Sequence, residues 1–150
     1  MSTDPFCIEE ETGKSIFFES ESFMVLYDIK PVVRGHILFV PKRHMLDILE
    51  MTEDEISDFH RLFAETVPRL LKVYGASGNS YDLTSQIGRY SGRSVEHLHI
   101  HVLPRRKDDM YNTSDKNIFE DLKLNKSNFS PEDVKREVEK LRNEFRYKPR

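Results

Sequence analysis

Cysteine is almost missing from this sequence, since Cys7 is the only one in 150 residues and no disulfide can form within the chain. No wholly apolar run approaches the roughly 20 residues that a membrane helix needs. The first residues also lack the basic and apolar segments of a signal peptide. The chain also has no large excess of charge of one sign. Its formal net charge is −3, which argues against extensive binding to nucleic acid phosphates. These absences predict a protein of a reducing compartment, cytoplasmic or also nuclear, that acts on a small ligand away from membranes.

Aromatic residues, in contrast, are well represented, with ten Phe and six Tyr. A chain of this length has the size of one ordinary domain, which buries roughly 70% of the surface of its unfolded chain. We therefore expect a single domain over residues 1–150. Its core is expected at about residues 5–105, and residues 106–150 are expected to form a charged loop followed by a C-terminal helix.

Short β-runs are found in two parts of the chain. Residues 16–28 are typical of two strands around the polar Glu19–Ser22, and His36–Val40 is typical of a third. Alternating side chains from Tyr81 predict a fourth strand, and His97–Leu103 predicts a fifth. We expect these strands to form an antiparallel sheet.

Two segments have helical periodicity. Thr52 and Glu55 form a capping box before apolar residues at helical spacing, which predicts a long helix that ends near Gly75. Ser130 and Pro131 begin a last helix. Strands and helices in separate blocks indicate an α+β fold, with an antiparallel sheet, a long central helix and a C-terminal helix.

Three of the six histidines alternate with apolar residues in the sequence H-L-H-I-H. On a strand, His97, His99 and His101 would project to one face while their neighbours face the core. Residues four apart on a strand are about 13 Å apart, so the outer two imidazoles are poorly placed to bind one zinc ion. The row suits a polyphosphate better, because one neutral imidazole can attack phosphorus while others hold its oxygens and protonate the leaving group. His99, in the middle, is the predicted nucleophile.

The stretch Gly92–Arg105, GRSVEHLHIHVLPR, resembles the signature of the histidine-triad (HIT) family of nucleotide hydrolases and transferases. Residues 30–38 and Pro41–His44 resemble an upstream block of the same family, and the resemblance extends clearly over about residues 16–105. It implies an α+β fold, usually a homodimer, and an adenine-type nucleotide substrate.

The resemblance also implies roles for single residues. His99 would take up the nucleotidyl group, and His36 would either orient a catalytic imidazole from behind or be an ordinary half-buried histidine. Asp28 would bind the ribose hydroxyls or serve only in a turn, and Leu26 would line the base or pack in the core. The residues expected near the phosphates are His97, His101, Gln86, Gly92, Arg93 and Ser94. Arg93 stands where much of the family has a neutral amide, and adds positive charge there.

Two branches of the family remain open. Leu103–Lys107 and the long C-terminal part resemble the fragile-histidine-triad branch, which hydrolyses diadenosine polyphosphates to AMP plus the other nucleotide. Tyr27–Ile29 and Pro41–His44 look more like the phosphoramidase branch, which releases AMP from an amine. We favour a hydrolase of dinucleoside polyphosphates such as diadenosine triphosphate, acting through a nucleotidyl-histidine. The alternatives are a phosphoramidase and, from another class, a nucleotide-binding signalling module with little turnover.

No metal site and no required cofactor are expected. Many microbial members of the family hold zinc through an N-terminal Cys-x-x-Cys, where this chain has Asp4-Pro5-Phe6-Cys7. The loss of one thiolate lowers zinc affinity, which leaves a weak site of Asp4, Cys7 and His44 as an open alternative. Mg²⁺ can still arrive with a polyphosphate substrate.

Overall fold

A five-stranded antiparallel sheet forms the centre of the structure, which is a computed structural model that describes residues 12–93, 95–107, 109 and 129–149. The helices are α1 (Glu53–Val73) and α2 (Pro131–Glu144), and short 3₁₀ turns lie at Ile48–Glu50 and Ser77–Asn79. The strands are β1 (Ile16–Glu19), β2 (Phe23–Tyr27), β3 (Ile37–Pro41), β4 (Tyr81–Thr84) and β5 (Ile100–Pro104), in the order β1-β2-β3-β5-β4. The predicted α+β fold, with its antiparallel sheet, long helix and C-terminal helix, is confirmed.

The two faces of the sheet have different neighbours. Directly opposed residues of antiparallel strands share a face, so Phe39 lies with Ile100 and Leu38 lies with His101. The face of Phe39 packs against both helices and forms the main core, where each buried apolar side chain contributes about 1.5–3 kcal/mol. The other face carries His101 together with a smaller apolar cluster of Ile16, Leu26, Leu38 and Val40. The sheet therefore separates the helices from the histidine face.

Local signals begin both helices where the sequence predicts. Thr52 accepts a hydrogen bond from the Glu55 N–H, and the Glu55 carboxylate accepts one from the Thr52 N–H. Ser130 and Asp133 form the same reciprocal pair at the start of α2. In the part of the chain that is described, neither helix has the length and apolar character needed to cross a membrane.

β5 begins at Ile100, so the predicted start of this strand at His97 is wrong. The Leu98 N–H donates to the carbonyl of Met45 at 2.7 Å, and the His97 side chain donates to the carbonyl of Pro41 at 2.8 Å. Both bonds draw residues 97 and 98 toward the loop after β3. The chain joins the sheet only when it reaches Ile100, opposite Phe39.

Candidate active site

His36 and His101 form a buried imidazole pair between the start of β3 and β5. The Nε2 atom of His36 lies 2.8 Å from the Nδ1 atom of His101. The Val32 N–H donates to Nδ1 of His36 at 3.1 Å. A neutral imidazole has a single N–H, so His36 carries its proton on Nε2 and donates it to Nδ1 of His101. His101 then carries its own proton on Nε2, where it can serve as a donor.

Asp28 lies beside this pair. One carboxylate oxygen, Oδ1, accepts the Lys30 N–H at 2.8 Å, as in an Asx turn. The other, Oδ2, lies 3.3 Å from Nε2 of His36 and 4.0 Å from Nδ1 of His101. The Asp28 N–H also donates to the carbonyl of His36 at 3.0 Å. The turn geometry and the place in the site thus occur together at Asp28.

His99 has the tautomer that a nucleophile requires. Its Nδ1 atom lies 2.7 Å from the carbonyl oxygen of His97, and a carbonyl only accepts, so the proton is on Nδ1. The lone pair of the neutral ring is therefore on Nε2. The rings of His99 and His101 are 5.0 Å apart at 74°, and the Ser85 hydroxyl donates to the His99 carbonyl at 2.8 Å. A donor imidazole and a basic imidazole thus lie side by side.

His97 is held differently from the other two. Its Nε2 donates to the carbonyl of Pro41, and its ring meets the ring of His44 edge-on, with centroids 5.1 Å apart. The late start of β5 causes this, because the strand geometry that predicted a row of three imidazoles does not extend to residue 97. His97 orients His99 through its backbone carbonyl, while His36 joins the cluster by its side chain.

Burial keeps the imidazole pair neutral. It lowers the pKa of His36, with Asp28 acting in the opposite direction and His99 adding to the decrease. It lowers the pKa of His101 well below the ordinary value, to which His36 and His99 also contribute. Both rings are therefore neutral hydrogen-bonding groups at neutral pH, in agreement with the tautomers above.

A metal fits this cluster poorly, although the ligand atoms of Asp28, His36 and His101 lie within 4.8 Å of one another. The nitrogen that His36 would offer carries its proton, because its other nitrogen accepts the Val32 N–H. The 2.8 Å between the two ring nitrogens is a hydrogen-bond length. Two nitrogen ligands of a tetrahedral zinc ion are about 3.3 Å apart. Asp4 and Cys7 lie outside the described residues.

The other predicted residues are distributed around the cluster. Gln86 is half-buried just after β4, and Gly92 is exposed in the turn that follows. Arg93 lies 3.5 Å from the Glu96 carboxylate, and Ser94 lies outside the described residues. Leu26 is 3% exposed and packs among Ile16, Leu38 and Val40, which makes it a core residue of the histidine face.

Sequence reasoning missed three groups that organise the site: the Val32 N–H, the Ser85 hydroxyl and the Tyr27 hydroxyl. Ser85 supports the backbone of His99, and Tyr27 accepts the Gly35 N–H at 3.0 Å. Ser85 stands in the polar alternation after Tyr81, a pattern that predicts a strand and not a contact with residue 99. A backbone N–H such as that of Val32 has no sequence signal.

The fold and the cluster define an α+β protein with a histidine-based site. The chain belongs to the HIT domain family, whose model matches residues 9–108. The bis(5'-adenosyl)-triphosphatase of Dictyostelium discoideum is 32% identical over 127 residues, which span 85% of this chain and 83% of that protein. The asymmetrical bis(5'-nucleosyl)-tetraphosphatase of Schizosaccharomyces pombe is 25% identical over 118 residues, 79% of this chain and 63% of that protein. The crystal structure of the Caenorhabditis elegans NitFhit protein matches with a TM-score of 0.68 and 28% identity, over 87% of this chain and 27% of that one.

Proposed function

We propose that this protein hydrolyses dinucleoside polyphosphates such as diadenosine triphosphate to a nucleoside monophosphate and the remaining nucleotide. The observation that carries the proposal is the pair of tautomers, a basic Nε2 on His99 beside a protonated Nε2 on His101. Relatives named as a bis(5'-adenosyl)-triphosphatase and a bis(5'-nucleosyl)-tetraphosphatase support the choice of substrate.

In the first step, Nε2 of His99 attacks the α-phosphorus of the substrate. A P–N bond forms, and the P–O bond to the leaving nucleotide breaks with its electron pair on the leaving oxygen. The ring of His99 becomes cationic, and the carbonyl of His97 stabilises it by accepting the Nδ1–H. His101 donates a hydrogen bond from Nε2 to a phosphate oxygen and keeps its proton, which stabilises the transition state while the leaving nucleotide departs as a phosphate anion.

In the second step, water attacks the phosphorus of the nucleotidyl-histidine. The new P–O bond replaces the P–N bond, whose electron pair returns to Nε2 of His99. The monophosphate leaves, and the water's spare proton passes to the solvent. The step needs no cofactor, and Mg²⁺ enters with the polyphosphate where the substrate carries it.

We assign the binding of the nucleotide to residues around the cluster. The carboxylate of Asp28, which lies beside His36, accepts a hydrogen bond from the ribose. Arg93 and Gln86, with Gly92 and Ser94, contact the phosphates. Arg93 favours a substrate with several negative charges, such as a polyphosphate chain.

The test compares the wild type with His99→Asn, and with His60→Asn as a control because His60 is an exposed histidine on α1. Diadenosine triphosphate and adenosine phosphoramidate are supplied in parallel, and AMP release is followed. We expect preferential cleavage of the dinucleotide, lost by at least about 10³-fold in His99→Asn and unchanged in His60→Asn. Mass spectrometry of the quenched wild type should detect one nucleotidyl group per chain.

Preferential cleavage of the phosphoramidate would instead place the chain in the other branch. Inertness toward both substrates, with retained AMP binding, would favour the binding module. Unchanged dinucleotide cleavage in His99→Asn would contradict the assigned nucleophile.

We also propose that the protein is a homodimer that associates through β4. This strand ends the described sheet, and its Tyr81 and Leu83 are 39% and 53% exposed. An apolar edge strand is a surface that proteins normally cover. Sedimentation should give a dimer for the wild type and a monomer for Leu83→Lys, whereas a monomeric wild type at assay concentrations would overturn the proposal.

A further inference from the structure

Two buried tyrosines and a glutamate connect helix α2 to the segment that leads into His36. The Gly35 N–H donates to the Tyr27 hydroxyl at 3.0 Å. The ring of Tyr74 lies directly against the backbone of Gly35. The Tyr74 hydroxyl lies 3.2 Å from Oε2 of Glu137 on α2. None of these three side chains has a role in the proposed chemistry.

Both tyrosine hydroxyls take part in hydrogen bonds of fixed direction. A carboxylate only accepts, so Tyr74 donates to Glu137. The Tyr27 oxygen accepts the Gly35 N–H. Burial raises the pKa of Tyr27 to about 12 and that of Tyr74 well above its ordinary value, so both hydroxyls keep their protons.

Two cationic side chains surround the Glu137 carboxylate. Arg34 donates to Oε1 of Glu137 at 3.3 Å, and the Lys140 ammonium lies 3.7 Å from Oε2. Arg34 is itself the residue before Gly35. Glu137 therefore reaches the same segment twice, once through Arg34 and once through Tyr74.

Gly35, which both tyrosines contact, directly precedes the site residue His36. The backbone of Gly35 has a φ of +90°, and a β-carbon there would lie 2.8 Å from two ring atoms of Tyr74. The next residue is His36, whose carbonyl accepts the Asp28 N–H and whose ring reaches His101. A shift of the Gly35–His36 peptide would thus move the imidazole that fixes the tautomer of His101.

We propose that Tyr27, Tyr74 and Glu137 are positioning residues for His36 and, through it, for His101. This inference rests on the proposed function, because it gives the three residues a part in that reaction. Helix α2 thereby holds a catalytic imidazole on the opposite side of the sheet, without touching the substrate. A misplacement of about 1 Å in such a group can lower kcat by about 10²-fold.

The experiment uses Glu137→Ala, which removes the acceptor, Glu137→Gln, which retains an acceptor oxygen, and Tyr27→Phe, which removes the acceptor of the Gly35 N–H. Glu139→Ala is the matched control, because Glu139 is an exposed glutamate on the same helix. Three kinds of measurement are made: hydrogen exchange of the Gly35 amide, the ¹⁵N shifts of the His36 and His101 rings, and steady-state kinetics that give kcat and KM for diadenosine triphosphate.

We expect faster Gly35 exchange and altered ring shifts in Glu137→Ala and Tyr27→Phe. Their kcat should fall by about 10-fold to 100-fold, with KM changed less than about twofold. Glu137→Gln should recover most of the loss, and Glu139→Ala should equal the wild type.

The proposal is overturned if Glu137→Ala matches Glu139→Ala in kcat, or if the Gly35 exchange and ring shifts stay unchanged. A wild type inert toward diadenosine triphosphate would refute the proposed function instead. The exchange rates and ring shifts would still decide the coupling between α2 and His36.

Discussion

Gly35 has no side chain at the point where the segment before His36 crosses Tyr74. A β-carbon would lie 2.8 Å from two atoms of that ring and 2.9 Å from Cγ of Pro104, at a φ of +90°. We expect Gly35→Ala to lower the free energy of unfolding by about 3 kcal/mol, as overpacking adds to backbone strain. Gly75→Ala is the control, because φ is +62° there and nothing lies within 4 Å. It should cost only about 1 kcal/mol in urea unfolding, and equal losses would refute the steric argument.

The buried histidines make stability depend on pH. Burial lowers the pKa of both His36 and His101 in the folded chain below the ordinary value of 6.5. As the pH falls through about 6.5, these histidines bind protons in the unfolded chain but stay neutral in the folded chain. The free energy of unfolding therefore decreases by up to about 1.4 kcal/mol per pH unit for each group. Stability should therefore be lost progressively as the pH falls below about 7. Replacing one of the two, as in His101→Asn, should reduce the slope measured by thermal unfolding, while His60→Asn should leave it unchanged.

At the scale of elements, an ion pair joins the loop after β3 to the first turn of α1. Arg43 donates to both carboxylate oxygens of Glu55, at 2.9 and 3.2 Å, and this hydrogen bonding lowers the pKa of Glu55 to about 2. Because the folded pKa lies below the ordinary 4.5, the stabilisation is present above about pH 4.5 and is lost as the pH falls toward 2. Glu55→Gln should be less stable than the wild type at pH 7 and should lose less stability on acidification. An acid transition identical in both proteins would contradict this assignment.

Helix starts that depend on residues close in sequence could be predicted, whereas a strand start or a side-chain pair that depends on distant residues could not. The reciprocal caps at Thr52 and Ser130 lie within three residues of their partners, so the helix starts could be predicted from the sequence. The start of β5 depends on the bond from Leu98 to Met45, 53 residues earlier, which periodicity does not encode. The pairing of His36 with His101 likewise joins residues 65 apart. Only the family resemblance predicts the pairing of the two histidines, and nothing in the sequence predicts the contacts of Tyr27 and Tyr74 with Gly35.

At the scale of the whole molecule, α2 closes the fold by returning to the first strand. The ring of Phe145, directly after the helix, packs against the ring of Phe17 with centroids 5.4 Å apart, within the main core. Arg142 donates to the carbonyls of Ile16 and Gly13, at 2.8 and 2.7 Å, across more than 120 residues of chain. These bonds hold the helix that, by the inference above, steadies His36 from beneath the sheet.

Arg142→Met should therefore separate stability from catalysis. It keeps the apolar stem of the side chain but leaves two partly buried carbonyls without their charged donor, which should lower the free energy of unfolding by about 2 kcal/mol. Arg146→Met is the matched control, because Arg146 is exposed and carries the same charge. While the variant stays folded, its kcat should equal that of the wild type, since Glu137 still reaches Tyr74. A fall in kcat as large as that of Glu137→Ala, without unfolding, would mean that His36 is placed by the docking of α2 as a whole and not by the contacts of Glu137 with Tyr74 and Arg34.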